Sequence, residues 1–443
     1  MLLKNATVLD YFPCELKANS SPRVEVVDLR VDDERITERG PNLVPDEGEE
    51  VQDLTGVLVM PGVVNAHSHL YSSLAVGMPA PKAQLNSFVE ILENIWWPLD
   101  AGLDAKATFH SAVAGAWDAV RCGTTLIFDH HASFTAIEHS LDEVERGIAL
   151  VGLRACLCYE TTDRGGAERR DQGLAENERY LLKLASSPAP EIAQFRGLVG
   201  GHASFTLTDE SLALLAKICD RTGVGFHIHL SEGSTDSETS DANGWAPPLE
   251  RLAQHGLVRA GSIFAHGVDL EPAQLDQIDT AGAWLIHCGR SNMNNGVGRA
   301  AIDYFPQRRG IGSDGLDNNL WSELRTTYFR GNEGDRGAIT FADAEQFWLG
   351  NYRLAREIFD EPFGSLDVGA PADFIVMNKF FKTPMTTENW VGHLLFDFHP
   401  WDISTVYVGG KSVFHHGDNP PVSEQELQQT AAQVWKKMNE QTD

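Results

Sequence analysis

The chain has 443 residues, a formal net charge of −28 at pH 7, a hydrophobic content of 42% and a charged content of 22%. These fractions are typical of a soluble globular protein, and the length allows one barrel of roughly 250 residues with a smaller companion. The negative charge would repel nucleic acids and anionic membranes, which argues against both as partners.

The six cysteines are scattered and show no Cys-x-x-Cys spacing. This distribution is typical of reduced thiols in the cytoplasm, not of a disulfide framework or a zinc ribbon. The first residues lack the basic start and long apolar core of a signal peptide. No run approaches the ~20 apolar residues that a membrane span needs. We therefore expect a cytoplasmic protein without a membrane partner.

Both ends of the chain carry short β segments. Residues 1–56 hold alternating apolar and polar runs broken by Pro, Gly and acidic turns. Asp373–Met377 and Val406–Val413 have the same pattern, and the second of these reads as a hairpin. The two ends predict one small β domain made of residues 1–56 and 365–420. The polar tail, 421–443, predicts a surface helix.

The middle of the chain, residues 57–364, alternates apolar strand patterns with amphipathic helical patterns such as Ala105–Val120 and Asp209–Thr222. The predicted strands are Val57–Val64, Thr124–Phe128, Val151–Tyr159, Gly197–Gly201, Val224–Leu230, Ser262–Ala265, Ala283–His287 and Gly310–Ser313. Eight strands with intervening helices predict an α/β fold in which parallel strands close into a (β/α)₈ barrel of the TIM type.

Titratable residues stand at the ends of most predicted strands, where such barrels carry their chemistry. They are His67, His69, His130, His131, His202, His227, His229, Glu232, His266, His287 and Asp314. A purely structural core would rarely hold so many polar groups, because each buried one needs a partner. The pattern therefore predicts an active site at one mouth of the barrel.

His67 and His69 are two residues apart on a strand, so both imidazoles project to one face and can meet one metal ion. A histidine of the fifth strand and the carboxylate of Asp314 would complete a zinc site that keeps a position open for water. His227 and His229 share a face, and both are candidates. The position of Glu232, three residues after His229, favours His229.

Glu232 is placed to reach over the metal without binding it. A metal lowers the pKa of water to roughly 7, which supplies a nucleophile near neutral pH. An unligated Glu beside it can carry a proton to a leaving nitrogen, as in zinc deaminases. His266 and Asp314 are candidates for orienting the water or polarising a ring imine or carbonyl.

Five stretches resemble, in order, the motifs of the amidohydrolase superfamily. They are Pro61–His69, His227–Glu232, Phe264–Gly267, His287–Met293 and Gly312–Gly315. Within the superfamily the chain is similar to the branch of cytosine, guanine and triazine deaminases or chlorohydrolases, and to the SsnA-type aminohydrolases in particular. The similarity extends from end to end of the chain.

The resemblance implies a distorted (β/α)₈ barrel and a small β-sandwich built from both termini. It also implies one divalent metal ion, zinc or alternatively iron. The metal ligands implied are His67, His69, His229 and Asp314, the catalytic residues Glu232, His266 and Asp314, and the substrate-binding residues His202, His130 and Arg290. No lysine follows the fourth strand, so the carbamylated-lysine, two-metal form of the superfamily is not expected.

The predicted function is a metal-dependent aminohydrolase that attacks a C–N bond of a small nitrogen heterocycle with metal-activated water. The alternatives are hydrolysis of a cyclic amide or another leaving group on the same scaffold, and a barrel without catalysis. A homodimer is expected from the resemblance and from the prevalence of two-fold assemblies. Ser313 and Gly267 depart from the residues usual in relatives, and both are expected to reshape the pocket.

Overall fold

The computed structural model describes residues 1–14, 22–81, 84–187, 191–334 and 337–442. Within these ranges the strands are β1 (Leu2–Asp10), β2 (Arg23–Asp32), β3 (Arg35–Gly40), β4 (Val51–Asp53), β5 (Leu58–Pro61), β6 (Val63–Ser68), β7 (Thr124–His131), β8 (Arg154–Tyr159), β9 (Phe195–Gly197), β10 (Val199–Ala203), β11 (Phe226–Leu230), β12 (Ile263–His266), β13 (Trp284–His287), β14 (Arg309–Ile311), β15 (Phe374–Met377), β16 (Ile403–Val408) and β17 (Lys411–His415).

The helices in the same ranges are α1 (Phe88–Ile91), α2 (Trp97–Gly102), α3 (Ala105–Arg121), α4 (Ser140–Val151), α5 (Gly166–Ser186), α6 (Asp209–Thr222), α7 (Thr235–Asn243), α8 (Pro248–Gln254), α9 (Pro272–Thr280), α10 (Gly289–Asn295), α11 (Leu320–Gly331), α12 (Phe341–Phe359), α13 (Trp390–Phe396) and α14 (Glu424–Thr442). The predicted terminal helix is therefore present as α14, and Asp443, its last predicted residue, lies outside the described residues. No helix among those described is both long and apolar enough to cross a membrane.

Several helices of the barrel begin at capping side chains that the sequence supplies. Asp104, Thr208 and Thr340 precede α3, α6 and α12, and each accepts a hydrogen bond from the backbone N–H three residues later. Such caps satisfy N–H groups that have no partner inside the helix. Helix α6 ends at Gly223, whose φ of +73° suits a residue without a side chain.

Strands from both ends of the chain lie in one sheet. Its order is β17-β16-β15-β5-β1-β2-β3, with β4 beside β1. Strand β5 is central, because it pairs in parallel with β1 and antiparallel with β15. A buried ion pair joins this sheet to the barrel, with Arg154 Nε of β8 2.8 Å from Asp373 Oδ2 beside β15. The predicted domain boundaries themselves stay a prediction.

The prediction that Val57–Val64 forms a single barrel strand is wrong. This segment divides at Gly62 into β5, which belongs to the terminal sheet, and β6, which enters the barrel. A Cβ atom at Gly62 would lie 2.1 Å from Thr125 Cγ2 of β7, so only glycine fits this junction. Periodicity could not reveal the break, because both halves are buried apolar runs.

Two parallel sheets, β6-β7-β8-β9 and β10-β11-β12-β13-β14, form the barrel. Strands β9 and β10 together occupy one strand position of the barrel, with a break between them only at Leu198. Backbone bridges join the sheets at both edges, between Ser68 and Asp314 and between Thr161 and Gly201. Eight strand positions are thereby linked into a ring, the TIM-type arrangement predicted from the sequence.

Candidate metal centre and active site

Four side chains from three strand ends converge at the carboxyl-terminal mouth of the barrel. His67 and His69 lie at the end of β6, His229 on β11 and Asp314 just after β14. Asp314 Oδ1 is 2.9 Å from His69 Nε2 and 3.3 Å from His67 Nε2, and His229 Nε2 is 3.0 Å from His69 Nε2. The ligand atoms offered by His67, His229, His266 and Asp314 all lie within 4.8 Å of one another.

Each of the three histidines has its Nδ1 atom engaged, which leaves Nε2 to face Asp314. The Nδ1 partners are His227 Nε2 at 2.8 Å for His67, the His130 carbonyl at 2.6 Å for His69, and the His202 carbonyl at 2.8 Å for His229. Partners of this kind fix the ring orientation and tautomer of metal-binding histidines. His227 therefore lies behind His67, while His229 faces the cluster.

The cluster fits a divalent cation. His67 Nε2 and His266 Nε2 are buried and have no hydrogen-bond partner among the described residues. Burial lowers the pKa of His229 well below its usual value, so the ring stays neutral as a ligand must. Burial opposes a charge on His69 too, but the hydrogen bond and charge of Asp314 raise the pKa of His69 to about 9. Three imidazole nitrogens with one carboxylate oxygen are a common zinc ligand set.

Glu232 and His266 stand beside this cluster. Glu232 is only 8% exposed, and its Oε2 atom lies 3.6 Å from His266 Nε2. Burial, together with the charge of Asp314, raises the pKa of the Glu232 carboxyl. A raised pKa is suited to a group that takes up and releases a proton near neutral pH.

Three side chains of the short helix α10 form hydrogen bonds to Asp314, His266 and Glu232. Ser291 Oγ donates to Asp314 Oδ2, His266 Nδ1 donates to Asn292 Oδ1 at 2.9 Å, and Asn295 Nδ2 donates to Glu232 Oε1 at 3.2 Å. Sequence reasoning gave Ser291, Asn292 and Asn295 no role in the chemistry of the site. The polar run Ser291–Asn295 was the available signal, but its targets are distant in sequence.

Three residues at these strand ends adopt the left-handed backbone conformation that disfavours side chains. Ser231, His266 and Asp314 have φ values of +49°, +77° and +55°. Such strain is retained only where the surroundings over-determine it, and it concentrates at functional sites. The turns point His266 and Asp314 at the cluster and begin the loop that carries Glu232.

A cavity opens onto the cluster at the mouth of the barrel. Its wall joins polar groups to an aromatic side supplied by α1, α2 and the π-helical turn Leu92–Trp96 between them. The lining residues are His69, Tyr71, Phe88, Leu92, Trp96, Trp97, Asp100, Glu160, His202, His229, Glu232, Asn295, Asp314 and Gly315. A flat heterocycle suits such a wall.

Glu160, directly after β8, is a pocket residue that sequence reasoning missed. Its Oε1 atom lies 3.0 Å from His130 Nδ1, 3.8 Å from His69 Nδ1 and 3.7 Å from His229 Nδ1. Burial acts to raise the pKa of Glu160, but the neighbouring charges of His130, His202 and His69 lower it to about 2. Its position directly after the predicted strand Val151–Tyr159 was a signal, but Glu160 was not among the strand-end residues predicted for the site.

The predicted substrate-binding residues take different places. His202 lines the cavity. His130 is buried behind it, with Nε2 donating to the His227 carbonyl at 3.2 Å and Nδ1 facing Glu160. Arg290 pairs with Glu323 at 2.6 Å and is not among the residues that line the cavity. The substrate-binding roles of all three stay predictions.

Residues 58–413 match the sequence profile of the amidohydrolase family. The chain is 26% identical over 441 residues to 5'-deoxyadenosine deaminase of Methanothermobacter thermautotrophicus, which covers 97% of this chain and 98% of the relative. It is also 26% identical to 5-methylthioadenosine/S-adenosylhomocysteine deaminase of Thermococcus sibiricus, with 93% of each chain covered.

Solved structures share the fold. An adenosine deaminase from Xanthomonas campestris with bound zinc superposes with a TM-score of 0.81 at 20% identity, covering 99% of this chain and 98% of the other. A guanine deaminase from C. acetobutylicum with bound guanine gives a TM-score of 0.74 at 18% identity, covering 93% and 99%. These similarities confirm the predicted fold class.

Proposed function

Because the chain belongs to the amidohydrolase family, we propose that it is a metal-dependent aminohydrolase that removes an amino group from a ring carbon of a small nitrogen heterocycle and releases ammonia. The observation that carries this proposal is Glu232, a buried carboxylate beside the cluster of His69, His229 and Asp314 but held by Asn295. An unligated Glu in this place is the proton carrier that deamination needs. The curated relatives are themselves named deaminases.

We propose His67, His69, His229 and Asp314 as the residues that hold the metal. Zinc is the proposed ion because the ligand set is of the nitrogen and oxygen type and because the similar Xanthomonas deaminase binds zinc. When bound, the ion acidifies a water molecule and so supplies the nucleophile. Ser291 holds the second oxygen of Asp314, which keeps Oδ1 directed at the histidines.

Glu232 is proposed to take a proton from the attacking water and to deliver it to the leaving nitrogen. Asn295 fixes Oε1, so Oε2 is the atom that faces His266 and exchanges the proton. His266 donates from Nδ1 to Asn292, which directs Nε2 towards Glu232. In that position His266 is placed to orient the attacking water.

Zinc-loaded protein incubated with purines, pterins, pyrimidines and triazines tests the proposal. We expect ammonia from at least one ring, and a product in which NH has been exchanged for O. A product that has gained a whole water would instead show ring opening, the cyclic-amide alternative. Failure to release ammonia from every ring would remove the deaminase proposal.

We further propose that the enzyme is a homodimer in the cytoplasm and that the ligand it binds is its small-molecule substrate. All six cysteines are free, in keeping with a reducing compartment. Phe396 contacts both Phe329 and Phe341 on the surface. Phe329, Phe341 and Phe396 are 53%, 43% and 54% exposed, which offers an apolar face to a second copy. Sedimentation equilibrium should give twice the mass of the chain, and a monomer at micromolar concentration would contradict it.

A further inference from the structure

Two buried carboxylates besides Glu232 and Asp314 line the cavity, namely Glu160 and Asp100. We infer that Glu160 selects the substrate, by accepting a hydrogen bond from a ring N–H, so that rings with an N–H group are preferred over N9-substituted adenine. This inference rests on the proposed function, since it names the ring that the deaminase takes. It departs from the adenine compounds for which the curated relatives are named.

Glu160 lies on the side of the histidines that faces away from the proposed metal. Its carboxylate is near the Nδ1 atoms of His69 and His229, at 3.8 and 3.7 Å, whereas the Nε2 atoms of the same rings face Asp314. Both Nδ1 atoms already donate to backbone carbonyls. Glu160 is therefore not a ligand of the same ion, and its carboxylate is left for another partner.

No described residue supplies a well-placed hydrogen-bond donor to the Glu160 carboxylate. Glu160 Oε1 is buried without a well-directed hydrogen bond, and no described residue donates one to Oε2. The nearest side-chain nitrogen is His130 Nδ1, 3.0 Å away, and His130 does not line the cavity. Buried acceptors without donors are costly, so a donor on the bound ring would relieve this cost.

Asp100 adds a second acceptor on the aromatic side of the same cavity. Its Oδ2 atom is 2.6 Å from Arg164 Nη2, and the Arg164 guanidinium lies 4.3 Å from the centre of the Phe134 ring, which holds the pair in place. Its Oδ1 atom is buried and has no partner among the described residues. The lining of the cavity thus offers two acceptors, Glu160 and Asp100, to a molecule that carries more than one donor.

Candidate substrates differ in the hydrogen-bond donors on their rings, and this difference determines which of them can satisfy the Glu160 carboxylate. An adenine substituted at N9 has only acceptor nitrogens in its ring, and its amino group is the group that leaves. Such a ring would place a lone pair or a C–H group against Glu160. Guanine, cytosine and pterins carry ring N–H groups besides the reacting amine, so they can satisfy the carboxylate.

Methylated rings test the inference on the wild-type, zinc-loaded enzyme. Ammonia release is measured with guanine and cytosine, with the derivatives methylated singly at each ring N–H, and with adenosine and 5'-deoxyadenosine. We expect kcat/KM to fall roughly 10- to 100-fold for one methylated position and for both adenine nucleosides. Equal or better kcat/KM for the adenine nucleosides would overturn the inference and leave the proposed function intact. No ammonia from any of these compounds or from the pterins and triazines of the wider panel would overturn both.

Glu160→Gln tests the residue itself, with Glu176→Gln as a matched control. Glu176 is also a buried carboxylate, but it accepts hydrogen bonds from the backbone at His139 and Leu141 and does not line the cavity. We expect Glu160→Gln to bring the rates for guanine and its sensitive methyl derivative together, with zinc content unchanged, and Glu176→Gln to preserve their ratio. An unchanged ratio in Glu160→Gln would show that Glu160 only pairs with His130. If Glu160→Gln fails to fold, the kinetics of the wild-type enzyme with the methylated rings still test the inference.

Discussion

The side-chain amide of Asn295 donates to Glu232 Oε1 over 3.2 Å, and the same amide lies 3.3 Å from Ser291 Oγ. One helical turn therefore links Glu232 to Asp314, because Ser291 in turn donates to Asp314. Helix α10 thereby fixes the position of the proposed proton carrier, Glu232, relative to the proposed metal ligand, Asp314. Side chains locked by such neighbours hold the geometry that catalysis requires.

Asn295→Ala should lower kcat by roughly 10-fold while zinc content stays unchanged, because Glu232 loses the donor that holds Oε1. Steady-state kinetics with the best ring substrate and elemental analysis check this. Met293→Ala is the matched control, since Met293 lies on the same helix and is 52% exposed. An unaltered kcat in Asn295→Ala would show that Glu232 does not need the amide.

Ser291→Ala should weaken zinc binding by roughly 10- to 100-fold, because the Asp314 carboxylate loses the hydroxyl that orients it. Competition with a chelator of known affinity measures the change. Ser237→Ala, at an exposed hydrogen bond on α7, serves as the control. Identical zinc affinity in Ser291→Ala and the control would contradict this positioning.

Glu232→Gln should retain zinc and lose turnover by at least roughly 100-fold, because an amide cannot carry the proton from water to the leaving nitrogen. The variant keeps the size of the side chain and its place beside His266. Ammonia release and zinc stoichiometry are measured on one preparation. Full activity would remove Glu232 from the mechanism.

His229→Ala and His227→Ala should differ in their zinc content. His229 Nε2 faces the cluster, so its loss should lower the stoichiometry of bound zinc. His227 Nε2 lies 2.8 Å from the outer nitrogen of His67, Nδ1, so the His227 variant should still fill with zinc at saturating concentration, with an affinity lower by roughly 10-fold. Equal losses of zinc would mean that the two roles are not distinct.

The family, the fold class and the enzyme class predicted from the sequence are confirmed. They were accessible because the information is local: the i, i+2 spacing of His67 and His69 is a property of any strand, and parallel strands bring their ends to one edge. The individual roles of the site residues stay predictions.

Other features depended on pairs that are far apart in the chain. The division of Val57–Val64 follows from contact between Gly62 and Thr125, and the choice of His229 over His227 follows from what each ring nitrogen faces. The contact between Gly62 and Thr125 has no signal in the local pattern of apolar and polar residues, whereas the spacing of Glu232 favoured His229 without showing what either ring faces.

The sequence by itself determined a barrel with imidazoles and carboxylates at one mouth, because strand periodicity and strand order depend on neighbours along the chain. Only the tertiary structure decided that Asn295 holds Glu232 and that Glu160 lines the cavity with its Oε1 atom lacking a hydrogen-bond partner among the described residues. Hydrogen bonds and burial are properties of groups brought together from different strands and helices, so they arise only once the ring of strands has closed.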